Sequence, residues 1–126
     1  VALNEISARA REENKTIIPV YSNLFENLHF HFDYIFINPP TIPKNPTSVI
    51  EKGYMCGNNF EFFNALFSQL RIRGMRDTMV VMVLPENAEL FSITRKANHH
   101  HLKFKTLKVN MIKGERVVVY QVVLEE

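Results

Sequence analysis

The stretch FDYIFINPPTIP, residues 32–43, decides how the chain folds. Its first half carries Tyr34, Ile35, Phe36 and Ile37 in one run that is apolar on both alternate faces. That is the pattern of a strand covered by helices on both sides of a sheet, so residues 33–38 read as a central strand. Its second half sets Asn38 against two consecutive prolines. Pro39 pushes Asn38 out of the helical region, and both prolines hold φ fixed, which makes the corner stiff before any ligand arrives. Proline has no N–H, so the carbonyls of Asn38 and Pro39 are expected to face a cavity as acceptors, beside the side-chain oxygen of Asn38. A rigid cluster of acceptors suits a group that offers two N–H donors, an amide or a nucleobase amine. Such a nitrogen is a poor nucleophile because its lone pair is delocalised. Two hydrogen bonds that hold its N–H groups out of plane favour the pyramidal geometry in which the lone pair can attack an electrophile. Asn38 then acts by positioning and not as a base. Ligands of open parallel sheets bind outside the carboxyl ends of the strands, which is where residues 38–41 would sit.

The flanking sequence supplies the rest of an alternating α/β order. Upstream, VALNEISARAREEN places Leu3, Ile6 and Ala10 on one helical stripe and ends at Asn14 and Lys15. Residues 16–21 read as a short strand, which Pro19 confines to an edge or an irregular position. SNLFENL reads as a turn with a cap at Ser22 or Asn23. Downstream, residues 41–57 carry prolines and glycines without periodicity and form a long loop, a length that in compact domains is often functional. Asn58 followed by Glu61 resembles a capping box, after which Phe62, Phe63, Leu66, Phe67 and Leu70 recur at helical spacing up to Gly74. MVVMVL, residues 79–84, is a second fully apolar strand, and ENAELFSITRKANHH is a second amphipathic helix of this half. LKFKTLKVNM then alternates, Lys113-Gly114 supplies a turn, and RVVVYQVVL follows, so the chain closes on an antiparallel hairpin whose last strand runs backwards.

At this point the sequence resembles a family. FDYIFINPPTIP is similar to the Asn-Pro-Pro-aromatic motif of class I S-adenosylmethionine-dependent methyltransferases, in particular the release-factor glutamine methyltransferases and the small-domain ribosomal RNA guanine methyltransferases. SNLFENL ahead of it, Gly53 to Gly57 behind it, the long helix, the apolar strand and the closing hairpin follow the family order over nearly the whole chain. The resemblance implies a partial Rossmann-like methyltransferase fold, a three-layer αβα sandwich whose final antiparallel strand is inserted between its neighbours. It implies that residues 1–126 are the carboxyl-terminal two-thirds of one methyltransferase domain. It further implies an N-methyltransferase that uses S-adenosylmethionine on a protein glutamine or an RNA base. Asn38 and the Pro39 carbonyl would orient the acceptor nitrogen, Pro40 and Thr41 would border its pocket, and Asn23 would touch the adenine of the cofactor.

Two features depart from the pattern. Thr41 stands where the family places a tyrosine or phenylalanine, and it offers a hydroxyl and a methyl but no π-face. The glycine-rich turn that approaches the cofactor is not formed by any of the four glycines, at 53, 57, 74 and 114. Glu5 could be the ribose-binding acid if residues 1–4 end a strand, although their spacing is helical. A competing reading follows, a truncated or degenerate Rossmann-like module that binds a partner without catalysis.

Other residue types admit simpler explanations. Consecutive residues on a helix point about 100° apart, so His99, His100 and His101 cannot converge on one ion and read as a solvated helix end. His29 and His31 read as surface, and no metal is expected. Cys56 reads as a loop residue, because enzymes that attack a pyrimidine carbon carry their cysteine at the strand end that Asn38 holds. At 126 residues and 46% apolar the chain suffices for one domain. Its longest apolar run is too short to cross a bilayer, and a lone cysteine suits a reducing compartment such as the cytoplasm. A net charge of +2 permits an anionic partner without demanding one. The opening valine suggests a chain cut from something longer.

Overall fold

The structure, a computed structural model, describes residues 3–125. They fall into two compact units that divide between Phe30 and His31. The first holds α1, Leu3–Glu12. Asn14, at φ 58°, reverses the chain there, and the N–H of Lys15 returns to the carbonyl of Ala10 at 2.7 Å, a left-handed helix stop of the usual kind. Residues 16–21 do not form the strand their composition predicts. They are extended, exposed and without a ladder partner, and Pro19 lacks the N–H that one would use. In the turn that follows, Ser22 does the capping: its hydroxyl oxygen accepts the N–H of Asn27 at 2.9 Å and donates to the carbonyl of Leu24.

The second unit is a mixed α/β layer. Its elements are β1 (Tyr34–Ile37), a 3₁₀ turn (Glu51–Gly53), α2 (Glu61–Arg73), β2 (Met79–Pro85), α3 (Leu90–His99), β3 (Leu102–Ile112) and β4 (Glu115–Leu124). The sheet order is β1-β2-β4-β3. β1 and β2 are parallel, with Tyr34 opposite Met79 and Ile37 opposite Met82. β4 is antiparallel to both β2 and β3, so β3 runs the same way as β1 and β2. The hairpin that makes this possible turns at Lys113 and Gly114, both at positive φ (50° and 80°), the backbone a two-residue hairpin of matching twist requires. The reversed final strand of the sequence reading is therefore present, and it lies inside the sheet.

Chirality explains where the helices go. The crossovers β1–α2–β2 and β2–α3–β3 step the same way across the sheet, and right-handed connections in one direction deposit their helices on one face. The ring of Phe67 on α2 lies 5.9 Å from that of Phe104 on β3, which lies 5.3 Å from Tyr120 on β4. Phe63, Leu66, Phe67 and Leu70 of α2, Ile93 and Ala97 of α3, and Val80, Met82 and Leu84 of β2 are buried there. Within this unit both helices cover the same side of the sheet. The central position expected for β1 is not observed. It pairs on one side only, with β2, and Tyr34 and Phe36 on the uncovered face are 60% and 74% exposed, their rings stacked 6.0 Å apart.

None of the described helices is long and apolar enough to cross a membrane. Phe67 is the keystone of the covered face, since its ring contacts both Phe63 and Phe104 at 5.9 Å. Phe67→Ala should cost about 3–5 kcal/mol, read as a lowered urea midpoint at unchanged slope. A loss below about 1 kcal/mol would show that the α2 face is not the core.

Candidate functional site

The corner at residues 38–41 begins one residue after β1 ends. Pro39 and Pro40 are both buried, Thr41 is half-buried and Asn38 is exposed. The imino acids thus anchor the backbone from inside while the carboxamide stands outside. Among the described residues the Asn38 side chain and the carbonyls of Asn38 and Pro39 have no hydrogen-bond partner. They are free acceptors on a fixed base, as the sequence requires of a device that receives N–H groups.

The loop behind the corner is more ordered than its composition suggests. Ile42 and Met55 form a parallel bridge: the N–H of Ile42 donates to the Tyr54 carbonyl at 2.9 Å, and the Ile42 carbonyl accepts from Cys56 at 2.8 Å. The next clasp joins the Gly57 N–H to the Lys44 carbonyl at 2.9 Å. Its tip is a hydrogen-bonded turn over Thr47-Ser48-Val49-Ile50-Glu51. The N–H of Glu51 donates to Ser48 Oγ at 3.2 Å, while Glu51 Oε1 accepts from the Thr47 hydroxyl at 2.6 Å and its N–H at 2.8 Å. Those two donors hold the Glu51 carboxyl below the usual carboxylate range.

The start of α2 also differs from expectation. The N-cap is Phe60, in left-handed backbone at φ 58°. Glu61 takes the N–H of Asn59, and the Asn58 N–H goes instead to Asn45 Oδ1 at 2.9 Å. Gly57 is favoured here by its φ of +95°, and an added Cβ would in addition displace the Glu61 carboxylate, 2.7 Å away.

S-adenosylmethionine, the cofactor the resemblance implies, finds no cradle among the described residues. Gly53 ends the 3₁₀ turn, Gly57 serves Glu61, Gly74 stops α2 and Gly114 makes the hairpin. Asn23 lies in the first unit, exposed, its amide 3.4 Å from Glu26 Oε1. Glu5 sits in the first turn of α1, which rules out a strand ending at Leu3 and Asn4; Val1 and Ala2 lie outside the described residues. The present residues therefore do not fit the cofactor by themselves.

Cys56 is buried, and burial pushes its thiol upward, away from the thiolate a nucleophile needs. No group of three or more His, Cys, Asp or Glu suited to a metal exists among the described residues. The histidines are not simply solvated, however. His100 is half-buried and its Nε2 lies 2.8 Å from Asn64 Oδ1, which ties the end of α3 to α2.

No protein-family model matches the chain, and no curated protein matches its sequence.

Burial lowers the His100 imidazole from its ordinary value, with His99, His101 and Lys96 adding repulsion. A base depressed on folding takes up its proton first in the unfolded chain. Stability is therefore unaffected above about pH 6.5 and falls as pH drops from there toward the folded value. Urea midpoints at pH 7.5 and 5.5 should differ for the parent and differ less for His100→Gln. Equal differences would remove His100 from the account.

Proposed function

We propose that this chain carries the acceptor-positioning part of an S-adenosylmethionine-dependent N-methyltransferase of Rossmann-like fold, acting on the planar NH₂ group of a protein glutamine or an RNA base. The observation that carries the reading is the inside-out corner, with two buried prolines and an exposed, unbonded asparagine at the carboxyl end of a parallel strand. The insertion of β4 between β2 and β3 supports the fold half of the reading. So does the order strand, Asn-Pro-Pro, loop, helix, strand, helix, hairpin.

The chemistry follows from acceptor placement. Asn38 Oδ1 and the Pro39 carbonyl each receive one N–H of the acceptor group. Held by both, the nitrogen loses conjugation with its carbonyl or ring and presents its lone pair. Neither oxygen takes the proton, so the contribution is orientation and preorganised polarity, commonly worth a factor of about 10²–10³ for a single well-placed group. Pro40 and Thr41 border the acceptor, and Thr41 supplies a hydroxyl and a methyl where an aromatic face would stack. The residues of this chain supply the acceptor side alone; Asn23 is the one residue that the family pattern points toward the donor. The lone thiol of Cys56, buried and free, suits a reducing compartment such as the cytoplasm.

A second reading, a partner-binding module without catalysis, is favoured by the lack of a cofactor cradle and by Thr41. Transfer of labelled methyl from S-adenosylmethionine to total RNA and total protein by the full-length product separates the two. Transfer to either supports the enzyme, and Asn38→Ala should lower it about 10²- to 10³-fold while cofactor binding by calorimetry changes much less. Undiminished transfer by that variant would end the proposal.

A further inference from the structure

A cleft of about 380 Å³ opens between the entry to α2 and the length of α3. One wall is Asn58, Asn59 and Asn64, with Phe60 at its base. The other is a single helical stripe, Ser92, Arg95, Lys96 and His99, spaced i, i+3, i+4, i+7 so that all four face the same way. Among the described residues none of these three basic residues has an acidic partner within ion-pair distance. Arg95 is engaged only with the ring of Phe91, 5.8 Å below its guanidinium. Glu61, in the first turn of α2, accepts the Asn59 N–H and is not among the residues that line the cleft. Unneutralised charge on one wall faces neutral carboxamides on the other.

Those carboxamides are partly committed in a useful way. Asn64 Oδ1 meets His100 Nε2, which leaves the Asn64 NH₂ group as a donor. The Asn58 N–H is used by Asn45, which leaves the Asn58 side chain free with both donor and acceptor. A fork of guanidinium donors and an ammonium within one helical turn matches the oxygens of a phosphate ester. Carboxamides offering paired donors and acceptors match the edge of a base. The volume falls in the range of small-ligand sites. The positive field also registers on a neighbour, since Lys96 and His99 help depress the His100 imidazole.

We propose that the cleft between α2 and α3 binds a nucleotide, its phosphate on Arg95 and Lys96 and its base against Asn58, Asn59 and Asn64. This goes beyond the acceptor-positioning role of residues 38–41 and uses none of them. The phosphate can come from a free nucleotide or from one unit of a single strand, and the recognition chemistry is shared.

The test uses the ¹⁵N-labelled 126-residue chain and four probes: AMP, adenosine, inorganic phosphate and a short single-stranded oligoribonucleotide. AMP should shift the amide resonances of Asn58, Asn59, Ser92 and Lys96; inorganic phosphate should shift the last two, and adenosine should shift Asn58 and Asn59 less than AMP does and leave Ser92 and Lys96 unmoved. Arg95→Gln and Lys96→Gln should each weaken AMP about tenfold or more, as expected for loss of a charge-assisted hydrogen bond. Tighter binding of the oligoribonucleotide than of AMP identifies a strand as the source, and the reverse identifies a free nucleotide. For a strand bound through two phosphates, a rise from 50 to 200 mM salt should weaken binding about 7-fold, and only about 2.6-fold in Arg95→Gln. Equal shifts from adenosine and AMP, no shift with any phosphate probe, or AMP affinity unchanged in both variants would overturn the proposal.

Discussion

The pairing of β4 with β2 organises everything in the second unit. Val80, Met82 and Leu84 face Val122, Tyr120 and Val118 across it, so the two most apolar segments of the chain share one ladder. β4 can enter there only by running against β2, because the hairpin from β3 leaves no length for a crossover. Once it is in place, β3 is pushed to the edge and α3 must span from β2 over β4. That brings α3 alongside α2 on the covered face. β1 joins the free side of β2, and its carboxyl end carries the Asn-Pro-Pro corner. The corner's position is thus a consequence of where the last strand of the chain inserts.

Local pattern announced some of this and not the rest. β2, α2, α3 and the hairpin were legible because their signals are contained in the segments themselves: an unbroken apolar run, a 3.6-residue repeat, Lys113-Gly114 between alternating stretches. The status of β1 was not legible. YIFI is apolar on both faces, yet whether a strand is central depends on neighbours on both sides, and here only β2 pairs with it. Residues 16–21 failed for the same reason, since β-propensity without a partner strand leaves extended chain. The helix starts show the opposite error. Asn58 and Glu61 spell a capping box that is not used because Phe60 turns left-handed, whereas Thr47, Ser48 and Glu51 close a hydrogen-bonded turn within a stretch whose prolines hid it.

Of the candidate site, the chemistry of Asn38 could be read from residue types alone, since two missing N–H groups and two fixed φ angles are properties of proline. That the prolines would be buried and the asparagine exposed depended on tertiary packing. His100 is a related case. Three adjacent histidines do not form a metal site, but their spacing says nothing about Asn64, thirty-six residues away, which makes one of them structural.

The corner and the cleft are mechanically joined, although they were argued separately. From Asn38 the chain passes through Pro39, Pro40, Pro43 and the clasps at Ile42 and Lys44 to reach Asn45, whose side chain holds the N–H of Asn58 on the cleft wall. Seven residues of extended chain cannot exceed about 25 Å, and three prolines leave this segment little freedom to shorten or lengthen. Asn58 on the cleft wall is therefore tied to the same strap that carries the acceptor oxygens of residues 38 and 39. The backbone part of the strap is stiff, and its last link is the hydrogen bond from the Asn58 N–H to Asn45 Oδ1, so the spacing between the two places is set by the proline-rich backbone together with the Asn45 side chain.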